Sequence, residues 1–547
     1  MKSRRLIAVP ILLGALPAAL ILSCSLFEPS RFLPSFPAGP SSLTSETGDE
    51  INHTNALFLA ESEPDTLDPA KWSGSADEIV GDLFSGLVRL DTNLQVVPDL
   101  AESWDVSPDG TSYTFQLRRD VVFHSGRPFT ADDVQFSWKR ALDPATGSHT
   151  VATYLGDILG AEDFREGDAQ EIEGVTTLDD YTLTVRLDSP KAYFLAKLAY
   201  PTSWIVDRET VDQIEEHPVG TGPFQWLRRT PGQEIVLERN PRYHLGPVAL
   251  PYLVYLINPG YPIRLYEGGE IDFTYLPEDL LDRANDPSDT LYGQVYPITD
   301  LCTYYVAFDA SRPPFDDPAV RRAFALAVDN GRYNEVVYGG LMTPAAGIFP
   351  PGLPGFSEEA VGLPFNPEAA RRALAGSAYG GAQGLPEILM TDNGAGANID
   401  PSTAFLIRSW QETLGVAVEV EQLESFGYSD QIYSGNHGQI VPWGWCADYP
   451  DPENFADLLF HSGSRQNIGN YSSPALDRLL DQARSEQDVP ARLALYRQAE
   501  QILVDDAAAI FLVQSPTSHI LVKPYITGYV ATPIGVAQHM NLAIVQP

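Results

Sequence analysis

Trp443-Gly-Trp-Cys-Ala-Asp448, continued by Tyr-Pro-Asp-Pro452, gathers two indoles, a thiol and a carboxylate into one short stretch. Indole faces give flat apolar contact, and a carboxylate is a charge-assisted partner for a cation. Residues of these types suit gripping a ligand; they do not by themselves break bonds. A buried aromatic turn beside a structural cysteine would use the same residues, and the stretch alone leaves both readings open.

Catalytic motifs are missing elsewhere in the sequence. The nine histidines are scattered and form no His-Glu-x-x-His helix. No Gly-x-Ser-x-Gly elbow occurs. The three cysteines, Cys24, Cys302 and Cys446, are too far apart for a Cys-x-x-Cys metal site. Acid pairs abound among 73 acidic residues, so carboxylate pairing cannot single out a glycosidase. Pro218-Val-Gly-Thr-Gly-Pro-Phe224 lacks the Lys-Ser/Thr of a phosphate cradle and reads as a tight turn. The expectation is a protein that is not an enzyme and carries no metal or cofactor.

A chain of 547 residues exceeds one simple core and predicts two or three domains or lobes. With 44% hydrophobic and 20% charged residues it has the composition of a folded globular protein. A formal net charge of -38 would repel a phosphate backbone, which argues against a nucleic-acid partner.

Lys2, Arg4 and Arg5 precede an apolar run from Leu6 to Leu22 that is broken by Pro10, Gly14 and Pro17. That pattern fits a secretory signal better than a spanning helix. The run ends in Ile21-Leu-Ser-Cys24, which resembles the bacterial lipobox. The resemblance implies cleavage before Cys24 and a lipid on its thiol; the alternative is an uncleaved signal anchor, and either exports the body. Residues 1–24 are therefore expected to be a lipoprotein signal peptide. Residues 25–50, rich in Ser, Pro and acids, read as a flexible linker. The body is expected outside the cytoplasm, anchored to the cell membrane on its periplasmic or outer face.

The elements that must position the aromatic stretch alternate between strand and helix. Thr111 to Leu117 places Tyr113, Phe115 and Leu117 on one face of a strand, and Tyr181 to Leu187 alternates likewise. Thr130 begins a helix as N-cap with Asp133 reaching back, and Val134, Trp138 and Leu142 share a face. Asp317-Pro318, Asp400-Pro401 and Ser473-Pro474 each open a helix, and a fourth begins near Pro490. Short strands are expected at Val416 to Val420 and Gly438 to Val441. This alternation from 302 to 515 predicts one α/β lobe.

Several segments carry a family likeness in their order and spacing. Pro64-Asp-Thr-Leu-Asp-Pro69, Asp82-Leu-Phe-Ser-Gly-Leu87 and Leu100-Ala-Glu-Ser-Trp104 come early. Tyr113-Thr-Phe-Gln-Leu-Arg118 and Phe123-His-Ser-Gly-Arg-Pro-Phe-Thr-Ala-Asp-Asp-Val134 follow. Gly220-Thr-Gly-Pro-Phe224, Ile235-Val-Leu-Glu-Arg-Asn240, Cys302-Thr-Tyr-Tyr305, Pro314-Phe-Asp-Asp317 and the stretch at 443–452 complete the series. From about Leu57 to Ile544 the chain resembles the family 5 extracellular solute-binding proteins of peptide and oligopeptide ABC importers.

The resemblance implies an α/β fold of two lobes closing like a clam, the large three-domain type II form of the periplasmic binding proteins. Lobe I would comprise 51–84, 195–298 and 518–547, with an extra domain at 85–194. Lobe II would be 299–517, with hinges near 298 and 517. The ligand would lie between the lobes, its α-ammonium on Asp448 and its backbone paired with main-chain groups at Gly444 and Cys446 and near Ser73 and Gly74. Trp445 and Trp443 would add contact. The family likeness further implies a disulfide between Cys302 and Cys446. A basic residue that relatives use for a ligand carboxylate is replaced here by Pro442, and a second such region reads Asn393-Gly-Ala-Gly-Ala-Asn398. The implied partners are a peptide or other small solute, an ABC permease and separate ATPase subunits, since no Walker motif occurs in this chain, which would itself be a monomer. Alternatives within the same resemblance are a receptor for an oligosaccharide or amine-bearing solute, or a peptide sensor that does not transport.

Overall fold

The computed structural model describes residues 43–44, 48, 50–72, 77–394, 399–424, 427–514, 517–535 and 539–545; Cys24, Ser73 and Gly74 lie outside them, as do the expected signal peptide and most of the linker. From Ile51 onward the molecule is a mixed α/β protein of two lobes.

The first lobe is built on Ala56–Glu61, which runs parallel to Tyr252–Ile257; Glu234–Arg239 and Phe224–Thr230 extend the sheet antiparallel. Leu57, Leu237, Leu253 and Tyr255 are fully buried, as expected of strands covered on both faces. A second, wholly antiparallel sheet joins Ala101–Val106, Ser112–Leu117, Thr182–Arg186 and Val175–Asp179. Here the predicted alternation holds: Tyr113, Phe115 and Leu117 enter the core. Helix Ala131–Leu142 packs on that core through Val134, Trp138 and Leu142, and the Asp133 carboxylate accepts the Thr130 N–H at 2.9 Å.

The Gly-rich stretch before Phe224 owes its glycines to contact rather than to turn dihedrals. A Cβ on Gly220 would stand 2.0 Å from the Leu83 carbonyl, and one on Gly222 2.3 Å from that of Asp82. Neither glycine has a positive φ.

The second lobe carries a six-stranded sheet in the order Thr343–Pro344, Ala509–Gln514, Cys302–Phe308, Ile440–Cys446, Leu389–Gly394, Glu419–Glu424. Helices Pro318–Leu326, Pro401–Leu414, Pro474–Ser485 and Val489–Asp505 begin at capping residues Asp317, Asp400, Ser473 and Asp488. Two strands differ from expectation. That expected at 416–420 lies at Glu419–Glu424, and that expected at 438–441 runs on through both tryptophans to Cys446. Gly444 interrupts the β-branched and aromatic pattern that marks a strand in sequence, yet long-range pairing with Cys302–Phe308 overrides it.

Val295–Thr299 and Thr517–Val522 pair antiparallel beside Phe273–Tyr275. The same two segments continue into Cys302–Phe308 and Ala509–Gln514 of the large sheet, where they pair again. The chain thus runs from one sheet to the other along two neighbouring tracks.

His539 ties the C-terminal segment to the first lobe. Its Nδ1 lies 2.9 Å from the buried Asp82 carboxylate, which also accepts the Tyr255 hydroxyl at 2.6 Å. Burial alone would lower the imidazole pKa, but Asp82, helped by Glu78, overcomes this and raises it to about 9. The folded state therefore holds this proton more tightly than the unfolded state. The stabilisation is full below the ordinary value of 6.5 and is lost as the pH rises through about 9. His539→Gln should lower thermal stability at pH 6 by up to about 3 kcal/mol, and melting curves of the two proteins should converge toward pH 10.

Candidate functional site

The site begins with how Ile440–Cys446 pairs. Cys302 stands opposite Cys446, Tyr304 opposite Gly444 and Val306 opposite Pro442. The Cys302 and Cys446 Cα atoms are 4.0 Å apart, the close spacing of a pair that exchanges no ladder hydrogen bonds, and Pro442 has no N–H to exchange. By the alternation of an antiparallel ladder, the main-chain groups of Gly444 and Cys446 therefore point away from Cys302–Phe308. On that side the neighbouring strand Leu389–Gly394 pairs only at Met390 with Ile440. Among the described residues the edge at Gly444 and Cys446 has no strand partner, and both residues are exposed. An open edge of this kind can take an extended chain as an added strand. Gly444 is required there: a Cβ would meet the Tyr304 ring at 2.8 Å.

Two residues past the edge stands Asp448. Its Oδ2 accepts the Tyr154 hydroxyl at 2.6 Å and the Asn454 amide at 3.1 Å. Its backbone N–H donates to Asn454 Oδ1 at 3.0 Å. Oδ1 of Asp448 has no hydrogen-bond partner among the described residues, and no cation lies close enough to move its charge. Burial raises its pKa, and the bonds from Tyr154 and Asn454 only partly offset this. The residue keeps some solvent access even though protein crowds its carboxyl group. A desolvated carboxylate with a free oxygen and no resident cation suits an incoming ammonium.

Aromatic rings enclose this carboxylate from both lobes. Tyr154 stacks on Tyr200 with ring centroids 3.6 Å apart and meets Tyr449 edge-on at 6.3 Å. Tyr449, fully buried, leaves the second lobe to pack in a first-lobe core with Trp72, Tyr193 and Tyr200. On the other side Trp443 stacks on Tyr428 at 5.8 Å and meets Tyr433 edge-on at 5.6 Å. Burial, then the nearby Asp448, raise the Tyr433 hydroxyl to about 12, so it stays a neutral donor.

The expected residues are thus brought together unevenly. Gly444, Cys446 and Asp448 follow one another along the open edge, and the disulfide joins Cys302 to Cys446. Trp443 and Trp445 point to the face of the buried Thr303 and Tyr305, so each is half-buried against the core. The Trp445 indole N–H donates to Asn454 Oδ1 at 3.1 Å, a tie the sequence reading did not include. Pro442 offers only its carbonyl, which lies 3.5 Å from the Tyr428 hydroxyl. Sequence reasoning missed Tyr154, Tyr433 and Asn454. Asn454, six residues past Asp448, lies within local reach of the motif; Tyr154, distant in the chain, carries no local signal. Among the described residues no cluster of His, Cys, Asp or Glu could hold a metal ion.

Comparison with known proteins adds independent support. Residues 95–467 match the family described as bacterial extracellular solute-binding proteins, family 5 Middle. Di/tripeptide-binding protein 2 of Pseudomonas aeruginosa is 32% identical over 81% of this chain and 86% of its own length. The periplasmic oligopeptide-binding protein OppA of Escherichia coli is 32% identical over 86% of this chain and 88% of its own. The solved structure of the Escherichia coli murein tripeptide binding protein MppA superposes with a TM-score of 0.77 at 30% identity, covering 90% of this chain and 99% of that one.

The disulfide closes a sequence separation of 144 residues. In the chain-entropy picture such a closure stabilises by about 5 kcal/mol. Replacing both Cys302 and Cys446 by alanine should lower the unfolding midpoint in denaturant, and reductant should lower that of the wild type but not that of the double variant.

Proposed function

The chain belongs to the bacterial extracellular solute-binding proteins of family 5, and on that premise we propose how it captures its ligand. It is the extracytoplasmic peptide-binding component of an ABC importer. The peptide's α-ammonium pairs with Asp448, and its first residues add a strand to the open edge at Gly444 and Cys446. Main-chain pairing does not read side chains, so one edge serves many sequences, while a desolvated charge pair sets where the peptide starts. Trp443 and Tyr433 supply apolar contact beside that start. Ser73 and Gly74 add main-chain contacts from the first lobe.

The observation that carries this reading is the free oxygen of Asp448 at the end of an unpaired strand edge. Ligand bridging both lobes favours their closed arrangement, because only there do Tyr154 and Asp448 meet. We place the lobe limits at 51–84, 195–298 and 518–547 for the first, 85–194 for its extra domain and 299–517 for the second. A lipid on Cys24 holds the protein at the membrane, where it delivers peptide as a monomer to a permease powered by separate ATPase subunits. The absence of a basic residue at position 442 favours ligands whose carboxyl end needs no fixed cation, such as longer or modified peptides.

Titration calorimetry with tri-alanine, N-acetyl-tri-alanine and longer peptides tests the site. N-acetylation or Asp448→Asn should each weaken binding about 30-fold or more, equivalent to about 2 kcal/mol. Affinity should also fall on acidification, starting at a higher pH than an ordinary aspartate would give, because burial raises the Asp448 pKa and binding needs its charged form. Equal affinity for the free and acetylated peptides would rule out the amine anchor. Binding of oligosaccharides and no peptides would replace the peptide reading with that of a sugar receptor.

A further inference from the structure

Glu453–Asp457 forms a single π-helical turn whose five residues are all buried. Turns of this type are uncommon and cluster at functional sites. Its first two side chains face opposite tasks. Asn454 turns its amide to the ligand motif, accepting from Asp448 N–H and Trp445 Nε1 and donating to Asp448 Oδ2. Glu453, next to it, reaches the other lobe: its Oε1 lies 3.3 Å from Lys197 Nζ. Its Oε2 accepts the Tyr449 hydroxyl.

Lys197 ends the first-lobe helix Phe194–Lys197 and is itself buried. It also donates to Asp157 at 2.9 Å, and its ammonium lies over the Tyr193 ring at 4.6 Å. Asp451 just before this turn and Asp457 at its end already have cations in their own lobe, Arg492 and Arg484. Of these three acids, Glu453 is the one that takes its cation from across the seam. When the lobes part, Lys197 leaves with the first lobe, and a buried carboxylate at the head of the turn loses its counter-charge. Such a loss is costly in a desolvated setting.

We infer that the π turn couples the ligand anchor to lobe closure: Asn454 is a positioning residue that aims Asp448 and Trp445, and the Glu453–Lys197 pair across the seam holds the turn in that shape. Lys197 touches neither Asp448 nor the open edge, yet it acts on binding through the turn. The inference deepens the proposed peptide capture and rests on it for the role of Asp448.

Two measurements on the full chain test it. Small-angle X-ray scattering without ligand should show a larger radius of gyration for Lys197→Met than for wild type, and the same for Glu453→Gln. Identical radii would overturn the seam contact as a closing element. Tri-alanine affinity should fall about tenfold for Asn454→Ala and for Lys197→Met. The double variant should lose less than the product of the two, because both changes act through one turn. Fold-changes that simply multiply would sink the coupling. Circular dichroism and melting curves keep unfolded variants out of the comparison, and Glu453→Gln, which keeps size and shape, replaces Lys197→Met in the cycle if the latter does not fold. Wild-type protein that ignores every peptide would refute the peptide reading instead, and the ligand-free scattering would still decide the seam contact.

Discussion

A carboxylate held among aromatic rings with no cation beside it is the constraint around which this molecule is arranged. Removing a charge from water is expensive, and proteins normally meet that cost with a resident partner. Other acids near the seam follow the rule: half-buried Asp451 has Arg492, buried Asp457 has Arg484, and half-buried Asp157 has Lys197. Asp448 departs from it, with a tyrosine hydroxyl and an amide for support and one oxygen left over. That electrostatic vacancy lies where a strand edge is also unsatisfied.

The two unsatisfied features complement one another. An edge strand offers directional main-chain bonds but no preferred starting point, so an added chain could slip along it. A single charge at the end of that edge removes the ambiguity for any chain that begins with an ammonium. Gly444 keeps the edge close under Tyr304, and the disulfide between Cys302 and Cys446 pins the strand at the end nearest Asp448. In the proposed capture, Gly444 and Cys446 of the strand would hold the backbone and Asp448, two residues beyond it, would select the terminus.

The site is complete only where the lobes meet. Tyr449 leaves its own lobe to fill a space among first-lobe aromatics, and Tyr154 comes the other way to reach Asp448. Exchange of this kind makes closure a packing event as well as an electrostatic one, since parting the lobes would strip Tyr449 of its first-lobe neighbours and Tyr154 of Asp448. The paired crossing segments Val295–Thr299 and Thr517–Val522 give both connections a common track.

Local patterns in the sequence determined much of the scaffold. Helix starts at Asp317, Asp400 and Ser473 could be read because a capping side chain followed by proline acts within one turn of backbone. The alternation at Thr111 to Leu117 specified a half-buried strand for the same reason, a period of two that needs no distant partner. The motif at Trp443 to Asp448 marked the candidate site by composition, and its likeness to a family of binding proteins suggested the role proposed for Asp448. Tertiary structure decided the rest. Trp443-Gly-Trp-Cys became strand because residues far upstream pair with it, and that register alone turned Gly444 and Cys446 toward an open edge. Tyr154 reaches Asp448 across a separation of 294 residues, and Lys197 reaches Glu453 from the other lobe. No local rule encodes such meetings, because they depend on how two lobes pack and on which desolvated charges that packing leaves without a partner.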